Sequence, residues 1–177
     1  MVAVPRLDIS DVVDLVNHYA VRARAAAGDE AKGYRPLHEV LAPLAAQVGE
    51  CSAGELQALA DAAYEVFVAA EEGRDVAPVV NALLAPAGPT PVLAADGDVA
   101  WEVPEGRSPL RGALGVTLLD WVHTRGPERL GVCGGSRCAD AFADSSPAGR
   151  RKFCSASCLN RHKVAEHRRR AAALDAS

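Results

Sequence analysis

Four of the chain's five cysteines fall in its last quarter, spaced as Cys133-x4-Cys138-x15-Cys154-x3-Cys158. Four thiolates in two close pairs, one loop apart, are the donor set of a closed tetrahedral zinc site. Gly134 and Gly135 let the backbone turn tightly after the first ligand, and two cysteines four apart place both sulfurs on one face of a helical turn. This pattern predicts one structural Zn2+ per chain, held by Cys133, Cys138, Cys154 and Cys158. Two disulfides, or four idle thiols, are the alternatives. They fit less well, because Met1 to Ser10 lacks the basic segment and apolar run of a secretory signal and disulfides belong to oxidising compartments. A cytoplasmic location is expected.

Other reactive side chains offer less. With four cysteines at hand, His162 and His167 read as surface or supporting groups, and His18 and His38 have no partner at metal-site spacing. Cys51 stands alone before a helix cap. Asp14 and Asn17 are polar residues among apolar helix positions, fit either to bond a neighbouring helix or to line a pocket. No nucleophile–base pair, catalytic carboxylate pair or glycine-rich phosphate loop is evident, so no enzyme is expected.

Charge divides the chain. Residues 1–124 carry 8 Lys and Arg against 18 Asp and Glu, a net of −10, whereas residues 125–177 carry 11 against 5, a net of +6. An acidic body with a basic end suits a regulator that touches nucleic acid with one end only; a solvated basic tail is the plainer alternative.

The elements that must position these residues are mostly helical. The composition is 49% hydrophobic but only 5% aromatic, which favours close-packed helices of Ala, Val and Leu, and no apolar run is long enough for a membrane span. Helical spacing predicts helices over Asp8–Arg24, Leu37–Gln47 (bent or split at Pro43), Ala53–Glu72, Val76–Leu84 and Leu110–His123. Ser52 with Glu55 forms a capping-box signature, and Ser108-Pro109 opens the last of these helices. Asp96-Gly97-Asp98 between two β-rich runs predicts a hairpin. The expected fold is mainly α: residues 1–124 as a helical domain with one small β-hairpin, 125–129 as a linker, and 130–172 as a four-cysteine finger ending in a basic helix.

Between the cysteine pairs, Ala141-Phe142-Ala143-Asp144 reads as a short strand and Ser145-Ser146-Pro147-Ala148-Gly149 as a turn, with Phe142 and Phe153 to cover the site. The stretch Leu130 to Arg170 also resembles the CGNR zinc finger family. The matching residues are Cys133 and Cys138, Phe142-Ala143-Asp144-Ser145-Ser146, Arg150-Arg151-Lys152-Phe153-Cys154, and Cys158-Leu159-Asn160-Arg161-His162-Lys163. Leu159 replaces the Gly of the family's naming tetrapeptide, and Phe153 stands where Trp is usual. The body is similar to the ABATE domain that commonly precedes this finger. Asp14-Leu15-Val16-Asn17-His18 matches its opening helix except at His18, and Asn81-Ala82-Leu83-Leu84 and the hairpin around Trp101 match more weakly. The resemblance implies a zinc-binding transcriptional regulator that binds double-stranded DNA.

On that reading Arg150, Arg151, Lys152, Lys163, Arg168, Arg169 and Arg170 are candidate phosphate contacts. Asn160, Arg161 and His167 are candidates for base edges, Asn160 and Arg161 equally for bonds that support the finger's own loop. The body is expected to sense a small-molecule effector or to form a homodimer. A protein-interaction adaptor is the rival function. RNA is disfavoured because no aromatic residue follows Cys158 to stack on bases.

Overall fold

The computed structural model describes residues 1–42, 44–48 and 51–175, with side chains described through Ala171 except that of Val48. The expected bend at Pro43 and the Gly49-Glu50 part of the following turn lie outside these. Its elements run β1 (Val2–Ala3), α1 (Ile9–Tyr19), α2 (Val21–Ala27), α3 (Leu37–Val40), α4 (Ala45–Val48), α5 (Ala53–Glu71) and α6 (Ala77–Leu84). There follow β2 (Thr90–Leu93), β3 (Val99–Val103), α7 (Pro109–Arg125), a 3-10 turn at Pro127–Arg129, β4 (Leu130–Val132), β5 (Ala141–Ala143) and α8 (Ala156–Asp175). No described helix is long and apolar enough to cross a membrane.

The core is helix on helix. Val12, Leu15, Val16 and Tyr19 of α1 pack with Leu59, Ala60, Ala63, Phe67 and Ala69 of α5 and with Leu110, Leu114 and Leu118 of α7. Alanines let α1 and α5 approach closely, so a sequence poor in aromatics still closes its interior. At the α6–α7 crossing Gly115 does the same: a Cβ there would lie 2.6 Å from Leu84 Cδ2.

Two local rules behave as their residues dictate. The Ser52 N–H donates to Glu55 Oε2 at 2.9 Å while the Glu55 N–H donates to Ser52 Oγ at 3.3 Å, which caps α5 at both ends of the box. Ser108 Oγ accepts from the Arg111 N–H at 3.2 Å and opens α7.

Two expectations are corrected. The single helix over Asp8–Arg24 is broken at buried Ala20, whose φ of −66° and ψ of 135° are extended. Asp61 on α5 accepts the Val21 N–H at 2.8 Å, so a distant carboxylate starts α2 afresh. The helix over Leu37–Gln47, expected to bend or split, is split into two single turns, α3 and α4. The lone hairpin is the core of a three-stranded antiparallel sheet in the order β1-β3-β2, because the N-terminal residues pair Val2 with Val103 and Ala3 with Glu102. A second sheet pairs β4 with β5, Gly131 opposite Phe142.

Candidate metal centre

The finger is built outward from the β4–β5 pair. The chain leaves β4 at Cys133, turns through Gly134 and Gly135 to Cys138, and returns as β5. The Cys133 N–H donates to Asp140 O at 2.9 Å and the Gly134 N–H to Lys152 O at 3.0 Å, closing the knuckle at both sides. Gly135 lies beside the ligands, where a Cβ would make ordinary contact at 3.4 Å from Cys138 Cβ and 3.5 Å from Cys133 Sγ. After β5 the chain loops through Asp144 to Cys154, and Cys158 follows in the first turn of α8. Ser155 caps that turn, its Oγ accepting the Cys158 N–H at 3.2 Å.

The two C-terminal cysteines therefore share a helix start rather than a helix face, as Cys154 precedes α8. Their sulfurs nonetheless lie 3.5 Å apart, Cys138 Sγ lies 3.6 Å from Cys154 Sγ, and all four sulfurs fall within 4.8 Å of one another. A tetrahedron of thiolates about zinc has edges of about 3.8 Å, given Zn–S bonds of about 2.3 Å. The cluster fits that ion.

Electrostatics points the same way. In the thiol state burial pushes Cys138 up to about 12 and raises Cys154 as well. Burial also raises Cys158, but hydrogen bonds with Ser155, Cys154 and the Arg161 guanidinium outweigh it and bring the thiol down to about 7. Sulfurs this close and this dry ionise together only beside a cation. Zinc supplies that charge and holds the knuckle to the helix, so the ion is structural, with every position taken by protein. Arg161 Nη2 donates to Cys158 Sγ at 2.9 Å, which makes it a charged support for the ligand. Asp140 Oδ2, unforeseen in the sequence, stands 3.4 Å from Cys154 Sγ.

Asp144 is the one buried charged side chain among the described residues, 4% exposed. Its carboxylate accepts the Ser146 and Arg151 N–H groups, each at 2.9 Å. The Ser146 hydroxyl first, then these two amides, hold it well below the ordinary carboxylate range, at about 2. The local signal was an Asp heading a Ser/Pro/Gly turn, whose carboxylate takes the amide two residues on.

The basic residues divide by what they already hold. Arg151 donates to Phe153 O at 2.9 Å, to Ala143 O at 3.4 Å and to Cys154 O, and lies 5.4 Å from the centroid of Phe142. Its guanidinium braces the loop. Arg150, Lys152, Asn160, Lys163, His167, Arg168, Arg169 and Arg170 are exposed; among them Arg170 pairs with Glu166. His162 packs against Phe153 with ring centroids 5.0 Å apart, away from any ligand role.

The finger is seated on the body. Leu130 and Ala141 belong to the helical core. Asn17 of α1 grips the backbone of Ala141, Tyr64 donates to Ala139 O at 2.6 Å, and Glu71 Oε2 accepts the Val132 N–H at 3.3 Å. Within the segment read as a linker, α7 runs to Arg125 and the 3-10 turn leads straight into β4. Of the two polar residues singled out on α1, Asp14 is exposed and Asn17 is engaged with the backbone of Ala141.

With that geometry in place, residues 129–171 match the family described as CGNR zinc finger. No curated protein matches the chain.

Proposed function

We propose that this chain is a transcriptional regulator that contacts double-stranded DNA through α8 and the loop before it, with the acidic body as its sensing or dimerising part. One observation carries the reading. Among the described side chains of α8 only Cys158 is buried, whereas Lys163, His167, Arg168, Arg169 and Arg170 are exposed. A helix held at its first turn by metal, with exposed basic residues along its length, suits a groove or a phosphate backbone. The body's net charge of −10 keeps it off phosphate and orients the encounter.

The bonds already made narrow the contact set. Arg151 and Arg161 serve the finger itself, leaving Arg150, Lys152, Lys163, Arg168, Arg169 and Arg170 for phosphates and Asn160 and His167 for base edges. The test is selection of random duplexes by the zinc-loaded protein, followed by a salt titration on the selected site. Binding that weakens with salt by a log–log slope of about −0.9 per phosphate contact supports the proposal. No duplex binding at moderate salt would overturn it.

A further inference from the structure

Between β3, the segment of residues 4–8 before α1, and α7 lies an open groove of about 690 Å3, a size that takes organic ligands. Leu7 and Ala113 are buried in its floor. The floor is also fixed, because the Val4 N–H donates to Trp101 O at 2.8 Å and Thr117 Oγ1 donates to Leu7 O at 3.3 Å. At its mouth Val99 and Leu119 stay 59% and 38% exposed, apolar surface that an occupant would cover.

The charges around this floor are unequal. Arg6 is the one Lys or Arg of the lining, with Asp98 already facing it at 3.6 Å, and exposed His123 is the one other basic side chain there. Asp8 and Asp120 are the lining carboxylates, and that of Asp120 has no hydrogen-bond or ion-pair partner among the described residues. Trp101 adds an aromatic ring, which attracts cations, and the surrounding body is strongly acidic.

We infer that the groove binds a small organic cation with an apolar, ring-sized body, its ammonium or guanidinium set toward Asp120 and Asp8 and its apolar part over Leu7, Val116 and Trp101. This gives the sensing role proposed above a site and a ligand class. It is tested without DNA, so either reading can fail alone.

The experiment titrates the full-length, zinc-loaded protein with three probes of one shape: 2-phenylethylamine, neutral 2-phenylethanol and anionic 3-phenylpropanoate. Binding is followed by ligand-observed NMR and calorimetry. The amine is expected to bind best and the carboxylate worst, with amine affinity falling as salt rises. Asp120→Asn should cost the amine about two- to fivefold, the range of a partly exposed charge contact, and leave the alcohol unaffected. Leu119→Arg, at an exposed position that does not threaten the fold, should abolish amine binding. The inference is overturned if no probe binds, if the alcohol or the carboxylate matches the amine, or if Leu119→Arg binds the amine as before.

Discussion

Asn17 on α1 meets Ala141 on β5 with both halves of its amide: Nδ2 donates to Ala141 O at 3.0 Å, and Oδ1 accepts the Ala141 N–H at 2.7 Å. A side chain of the body thus occupies the place of a neighbouring strand beside β5, whose other edge pairs with β4. The finger's hydrogen bonds are completed only on this body.

Asn17→Ala leaves the backbone donor and acceptor of buried Ala141 without partners, at a cost of about 1–3 kcal/mol. Hydrogen exchange at the Ala141 amide should speed up while α5 stays protected. Unchanged protection at Ala141 would show that the pairing contributes nothing.

Elemental analysis of purified protein should give one zinc per chain, and intact disulfides with little zinc would refute the assignment. Because Leu130 and Ala141 sit in the common core, chelation or Cys154→Ser should lower the melting temperature of the body's helices as well as unravel the finger. Helices that melt at the same temperature with and without metal would mean that the two parts are energetically separate.

Arg161 and Arg168, about two turns apart on α8, should fail in different ways. Arg161→Ala removes the donor to Cys158 Sγ and should speed zinc loss to a competing chelator, supports of this kind being worth about 10- to 100-fold in metal affinity. Arg168→Ala touches no ligand and should leave zinc retention alone while making the log–log salt slope of the proposed DNA binding shallower by about 0.9. Equal effects of both changes on zinc retention would contradict the separation.

Tyr64 makes stability depend on alkaline pH. Burial, opposed by Arg22, lifts its phenol to about 12, above the ordinary tyrosine value of about 10. The folded state then holds the proton more tightly than the unfolded chain. Its contribution is complete below about pH 10 and is lost as pH rises toward 12. Denaturant unfolding across that window should show stability falling, and Tyr64→Phe should remove this part of the slope. A slope unchanged in the variant would assign it elsewhere.

Much of this was legible in the residues. The ligand set followed from cysteine spacing, the start of α5 from Ser52 and Glu55, and the hairpin from Asp96-Gly97-Asp98, since each is a short-range rule. What escaped depended on partners distant in sequence. Asp61 breaks the first helix at Ala20 from 40 residues away, and Asn17 reaches Ala141 across 124. A lone polar residue on an apolar helix face announces that it has a partner, not which one. The three carbonyls that the Arg151 guanidinium holds were equally invisible, because composition cannot distinguish a guanidinium in water from one already bonded to the backbone.

The first turn of α8 is pinned by Cys158 and Ser155, and beyond it every described side chain of the helix is exposed or only partly buried. At about 1.5 Å per residue, Arg168 to Arg170 stand roughly 15 Å or more beyond the pinned end. The metal site is therefore a fulcrum and the helix its long arm, so a small rotation of Cys158 against Cys133 and Cys138 sweeps the arginines through a far wider arc. Whatever stiffens the four sulfurs steadies the aim of the tail.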